Sequence, residues 1–351
     1  MLGRISAIRS LGVKVALGAV LASTVILAAC GTPTAGGPST TPNASLTACS
    51  VSSSDLAPTT TSKGTAPAVS GLSGKVAVDG STALAPLFQA AAGEFQTTNS
   101  NVQISITPNG SGTGLKDVHA GASNIGLSDV FASEKAPTPG AYSDLVDHQV
   151  AAVVFTLVTN TDLQSTVKNL TTDEIVKIYT GAYTNWSQIG GPNEPITVIN
   201  RPTTSGTRAT FKKYVLGGAT ETSGDTLTQE TTGAVLQAIK GTPGSIGYVS
   251  LSFVAQNPTA VSPVCIDGFK ATATDIDAGN YKFWGIEHAY TKGPAAGAAK
   301  SLIQYVVSDQ VQKNDLLALS YLPISAVSAS AIAAHTPSGA PAPEQLTPLG
   351  S

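Results

Sequence analysis

The chain is poor in charge, in aromatic rings and in sulfur. Of its 351 residues only 12% are charged and 5% aromatic, and the net charge is -3. A basic field able to recruit nucleic acid is therefore missing, and any anion has to be captured locally. The four histidines, His119, His148, His288 and His335, lack carboxylate or cysteine partners at ligand spacing. They read as surface or helix-end residues, so no metal site and no cofactor is expected. A phosphatase would want metal ligands or a nucleophilic cysteine, and neither constellation is present. What the sequence does have is Gly, Ser, Thr and Ala in abundance. Low charge with many hydroxyls suits an exported protein. The length fits about two domains, with a binding site expected where they meet.

Residues 1–30 are a targeting segment and stand outside the fold. Arg4, Arg9 and Lys14 precede a mostly apolar run over 15–28, which falls short of the about 20 residues a membrane span needs. Leu27-Ala28-Ala29-Cys30 resembles the lipobox of bacterial lipoproteins, in which the cysteine is lipidated; a single uncleaved anchor helix is the alternative. Residues 31–70, rich in Thr, Ser, Pro and Gly, cannot bury enough apolar area to fold alone and read as a disordered tether. Lipidation of Cys30 leaves Cys49 and Cys265. Outside the cytoplasm that even remainder suggests one disulfide between them, two buried thiols being the other possibility.

The ordered body is expected from residue 71. Around Arg201-Pro202-Thr203-Thr204-Ser205-Gly206-Thr207 a strand over 196–200 feeds a turn, and Phe211, Val215 and Leu216 follow at helical spacing. The first turn of a helix presents N–H groups without intrahelical partners at a positive dipole end, so an oxyanion is held there by several donors at once. Arg201 adds a planar fork of donors. A plain N-cap is the bland alternative. A second stretch has the same chemistry: strand 75–79 runs into Gly80-Ser81-Thr82 and a helix over 84–95. Strand 102–107 runs into Gly110-Ser111-Gly112-Thr113-Gly114 and another helix. That glycine-rich turn lacks the Lys-Ser/Thr pair of a nucleotide phosphate loop and does not match G-x-G-x-x-G. A short strand over 124–127 then delivers Ser128-Asp129.

These motifs, together with Asn169-Leu170-Thr171-Thr172-Asp173-Glu174-Ile175, Asn185-Trp186 and Thr242-Pro243-Gly244-Ser245-Ile246-Gly247-Tyr248, resemble those of the phosphate-binding proteins of ABC importers, the PstS family. The resemblance covers nearly all of 75–323. It implies an α/β, two-lobed periplasmic binding protein fold of the second type, with the ligand in the cleft between lobes. It also implies capture of inorganic phosphate outside the cytoplasm for an ABC transporter permease, by a monomer held to the outer face of the cytoplasmic membrane through a lipid anchor. The implied ligand contacts are Thr82, Ala83, Ser111, Asp129, Arg201, Ser205, Gly206 and Thr207. Position 83 departs from the family, which often has a bulky residue where this chain has Ala; the contact there is a backbone N–H, so cleft packing is what the change touches.

The residues by themselves support the same layout. A continuous apolar strand over 150–158 can cross between lobes, and a strand over 245–249 can bring the chain back. The first lobe is then expected over 71–157, the second over 158–247, a return to the first over 248–335 and a loose tail over 336–351. A helix is expected over 295–312, with Leu302, Ile303, Val306 and Val307 as its core stripe. Two rival functions remain: a sensor module uncoupled from transport, and a hydrolase, which would need a His near Ser111 or Ser205. The acid amid the donors, Asp129, is expected to accept the proton that phosphate carries and sulfate lacks; a simple ion pair with Arg201 is the alternative.

Overall fold

One strand ties the whole sheet together. The computed structural model describes residues 49–56, 63–67, 69–222 and 226–349, so Cys30, the targeting segment and much of the expected tether lie outside the described residues. The strands in chain order are β1 (Ser73–Gly80), β2 (Asn101–Pro108), β3 (Ile125–Ser128), β4 (Leu145–Thr159), β5 (Asn169–Leu170), β6 (Thr197–Asn200), β7 (Thr226–Thr228), β8 (Ser245–Ser250), β9 (Ser262–Ile266), β10 (Trp284–Lys292) and β11 (Tyr321–Leu322). They run in the order β2-β1-β3-β10-β4-β8-β6-β7, with β5, β9 and β11 to the side. β4 is 15 residues long and buried at every position from Val150 to Thr159. Its near-continuous apolar run is what a strand covered on both faces requires. From Leu145 to Val154 it pairs antiparallel with β10, and from Phe155 to Thr159 with β8. The crossing expected over 150–158 is therefore made inside one unbroken strand.

Each half of the sheet repeats one plan. In the first, β1 lies parallel to β2 and β3, with β10 antiparallel beside β3. In the second, β6 lies parallel to β7 and β8, with β4 antiparallel beside β8. The return to the first half comes later than residue 248, since β9 pairs with Leu157–Thr159 of β4 and with β5. The chain crosses back near Phe283, whose carbonyl accepts from Phe155 N–H at 3.0 Å.

Local chemistry sets the helix starts. Thr171 and Glu174 close a reciprocal capping box at the head of Thr172–Tyr179. Ser205 caps Gly206–Tyr214, its hydroxyl accepting from Arg208 N–H at 3.2 Å. That helix is seated by Phe211, fully buried and stacked on Tyr248 at 4.4 Å, with Tyr179 edge-on at 4.7 Å. Helix Ser111–Ala120 lies so close to β1 that a Cβ on Gly114 would stand 2.5 Å from Gly80 Cα.

Several expectations are corrected. The helix over 295–312 is broken: Gly297–Val306 ends, and a π-helical turn, Val311–Asp315, follows. Ser308 and Asp309, short polar residues that compete for backbone bonds, stand at the break. Two of the histidines lie inside the sheet. His148 on β4 bonds Thr291 Oγ1 at 3.0 Å, and His288 on β10 bonds Asp147 Oδ1 at 2.8 Å. The disulfide expected between Cys49 and Cys265 is formed, with Cα atoms 5.3 Å apart, while within the stretch read as a disordered tether Leu56 is fully buried in the core. The tail is pinned where it was expected to be loose, by Glu344 N–H to Asp147 O at 2.7 Å and Leu349 N–H to Gln304 O at 3.1 Å. Among the described residues no helix is long and apolar enough to cross a membrane.

Candidate oxyanion site

Five loops leave the C-terminal ends of parallel strands and meet. From the first half, β1 hands on Ser81, Thr82 and Ala83, β2 leads through Gly110 to Ser111, and β3 delivers Asp129. From the second, β6 delivers Arg201 and β7 leads to Glu230 and Thr232. This edge is the usual ligand side of an open α/β sheet. Four of the loops open helices of nine residues or more, Ala85–Thr98, Ser111–Ala120, Gly206–Tyr214 and Thr232–Gly241, and the β3 loop opens the short Ala132–Lys135, so helix first turns and positive dipole ends gather around the same cluster.

Arg201 is the centre of the second half. It is 1% exposed, and its guanidinium donates to Thr82 Oγ1 at 3.1 Å, Thr232 Oγ1 at 3.2 Å and the Glu230 carbonyl at 3.0 Å. Nε has no partner among the described residues. Burial pushes its pKa down, against the pull of the Asp129 charge; an arginine nevertheless keeps its proton. Arg208 braces the turn from behind, donating to the Arg201 carbonyl and standing 3.5 Å from Glu221, which in turn accepts from Tyr248 at 3.0 Å.

Asp129 is the centre of the first half and is 3% exposed. The Ser81 hydroxyl donates to Oδ1, and the Thr207 hydroxyl donates to Oδ2 at 2.8 Å. Its N–H donates to Ser111 Oγ at 3.1 Å. The simple ion pair with Arg201 is not what the geometry holds: the guanidinium is spent on hydroxyls and a carbonyl, and the carboxylate on two hydroxyls. Ser111 and Ser205 hydroxyls accept from backbone N–H groups, while the histidines bond elsewhere.

The two halves touch through backbone. Gly112 N–H donates to Thr204 O at 2.9 Å. A Cβ on Gly206 would stand 2.3 Å from Ser111 Oγ and 3.0 Å from Asp129 Cγ, so space and not φ demands glycine there. Lys135, from the first half, donates to Thr203 O at 2.7 Å and Ser205 O at 2.9 Å. Its burial lowers its pKa to about 8, against the pull of Asp129.

All eight residues singled out from the sequence fall in this cluster: Thr82, Ala83, Ser111, Asp129, Arg201, Ser205, Gly206 and Thr207. The Ala83 N–H points inward to Ser81 Oγ at 3.1 Å. Three neighbours were missed. Ser81 shares its small polar turn with Thr82 and carries the same signal; Thr232 is signalled by Thr231-Thr232-Gly233 opening a helix after a strand; Lys135 carries no local sequence signal.

Residues 58–310 match the family model described as a PBP superfamily domain. The phosphate-binding protein PstS of Bacillus subtilis (strain 168) is 42% identical over 253 residues, 72% of this chain and 82% of that one. Among solved structures, a putative phosphate ABC transporter substrate-binding protein with bound phosphate from Clostridium perfringens matches with a TM-score of 0.64 at 29% identity, over 72% of this chain and 100% of that one. An ABC-type phosphate transport receptor from Vibrio cholerae shares the fold at 20% identity and a TM-score of 0.55, over 70% of this chain and 99% of its own.

Proposed function

The chain belongs to the PBP superfamily and, within it, to the PstS phosphate-binding proteins, and from that membership we propose that it captures inorganic phosphate between the halves of its sheet and delivers it to the permease of an ABC importer. The observation that carries the reading is the meeting of a buried arginine and a helix first turn from one half with hydroxyls and one carboxylate from the other. In this scheme Thr82, Ser111, Arg201 and Ser205 supply side-chain donors and Gly206 a backbone N–H, while the Ala83 N–H and the Thr207 hydroxyl turn to the ligand from their present bonds to Ser81 and Asp129. Asp129 accepts the ligand's own proton. Charge-assisted bonds contribute about 1.5 to 3 kcal/mol each, so a handful exceeds the cost of ordering and desolvation. The protein binds and releases phosphate without turning it over. Lipidation at Cys30 holds the monomer at the outer face of the cytoplasmic membrane.

Calorimetric titration of the purified protein with inorganic phosphate tests the reading. One site of micromolar or tighter affinity is expected; no heat together with no competition against labelled phosphate overturns it. Mass spectrometry of membrane-extracted protein should find the mature chain beginning at an acylated Cys30, and an unmodified N-terminus beyond it refutes the anchor.

A further inference from the structure

Across the sheet from Asp129 lies an acid that the oxyanion cluster does not itself use. In the antiparallel pairing of β3 with β10, His288 faces Ser128. Carried one residue past the end of β3, that register sets Asp129 opposite Glu287, the two carboxyls interact, and strand alternation sends them to one face and Ser128 with His288 to the other. Glu287 is fully buried, and neither carboxyl oxygen has a hydrogen-bond partner among the described residues when it is treated as an acceptor. On its other side β4 places Ala151, which offers no donor from its side chain. An ionised carboxylate without donors in such a place is strongly disfavoured. Burial pushes the Glu287 pKa well above the carboxylate range, and the Asp129 charge and a bond to its carboxylate push the same way.

Asp129 is fixed in the opposite role. Ser81 Oγ already accepts from the N–H groups of Ala83 and Leu84, at 3.1 and 3.0 Å, so its own hydrogen is directed at Asp129. Thr207 donates to the other oxygen. Both Asp129 oxygens therefore act as acceptors, which is the ionised form. The other titratable groups felt by this pair are Tyr321, which senses both acids, and Arg201 and Lys135, which sense Asp129.

We propose that Glu287 is a neutral carboxylic acid whose O–H donates to the Asp129 carboxylate, a positioning residue that holds Asp129 ionised and aimed as the acceptor for the proton of bound phosphate. Only the last step rests on the phosphate reading. In this arrangement Glu287 acts on the ligand only through Asp129, giving that carboxylate a third donor, and the two acids share one negative charge near neutrality.

Two measurements on the full protein test this. In isotope-edited infrared spectra at neutral pH, the wild type shows the carbonyl stretch of a protonated carboxyl group, and Glu287→Gln removes it. In phosphate titrations from about pH 5 to about pH 8, Glu287→Gln, whose amide N–H can donate in place of the acid, keeps the wild-type pH profile and the rejection of sulfate. Glu287→Leu loses the donor: phosphate affinity falls by roughly tenfold, most steeply at the acid end. Absence of the protonated band, or a Gln variant as impaired as the Leu variant, overturns the acid pair. The band present in a wild type that does not bind phosphate overturns the phosphate reading instead, and with it the last step.

Discussion

The first half of the sheet brings to the site three hydroxyls, Ser81, Thr82 and Ser111, and two acids, Asp129 and Glu287, while the second half brings Arg201 and Arg208 beside Ser205, Thr207 and Thr232. The backbone plan is the same on both sides, parallel strands running through small polar turns into helix first turns. Hydroxyls and N–H groups are thus shared, and what separates the halves is the buried guanidinium on one side and the buried carboxyl pair on the other. Donors bind any oxyanion, so the cationic half should set affinity. The acidic half accepts a proton and should set which oxyanion is kept.

The largest effect expected is on the cationic side. Arg201→Ala removes a buried, triply bonded guanidinium and should weaken phosphate binding by about 2 to 5 kcal/mol, the loss typical of truncating a buried charged partner. Arg201→Lys should recover only part, because a point charge cannot reproduce the fork. Titration of both variants decides; near wild-type affinity in the Ala variant would detach affinity from this half.

Next comes a control on the same half, away from the site. The Cys49–Cys265 bond fastens the chain ahead of the first half to β9 beside the second. Replacing both cysteines by serine should lower unfolding free energy by about 2 to 4 kcal/mol and leave phosphate affinity unchanged, as read by denaturant unfolding and titration side by side. A loss of affinity in parallel would show that the geometry around Arg201 depends on that fastening.

On the acidic side, Asp129→Asn can donate as well as accept, so sulfate no longer meets a bare carboxylate. The gap between phosphate and sulfate should narrow by roughly 1 to 3 kcal/mol, measured by competition against labelled phosphate at fixed pH and ionic strength. An unchanged gap would mean that selectivity is not housed in this half.

Turn-and-helix chemistry made Ser111, Ser205 and Thr207 legible in the sequence, because a strand, a small polar turn and a helix leave a local signature. β4 was legible too, since an apolar run over 150–158 has few other uses. Glu287 and Lys135 were not. Glu287 matters because the register of β10 against β3, carried one residue past Ser128, brings it to Asp129, and Lys135 because it reaches carbonyls 68 and 70 residues away. The burial of His148 and His288 was hidden for the same reason: their partners, Thr291 and Asp147, come from a neighbouring strand. The break after Val306 escaped because an apolar stripe reports the face of a helix better than its length.

Lys135 gives the smallest effect and the sharpest test of the division, since it is a cation from the acidic half bonded to carbonyls of the cationic one. Burial lowers its pKa from 10.5 to about 8. Above that value the ammonium is neutral in the folded protein, whereas a phosphate dianion placed near it favours the charged form, so binding takes up a proton. Phosphate affinity should then fall as pH rises through about 8, by up to roughly tenfold per pH unit, in a range where the ligand has already lost its second proton and contributes no change of its own. Lys135→Gln should flatten that slope. The stability contribution of the same residue has the opposite sign. With its folded pKa below its unfolded one, the unfolded chain binds more protons between about 8 and 10.5, so this group adds stability as pH climbs through that window. General alkaline loosening would lower affinity and melting temperature together. A slope in affinity that vanishes in Lys135→Gln, with the variant no more stable to alkali than the wild type, is expected; a slope that survives the substitution removes Lys135 from the bridge between the halves.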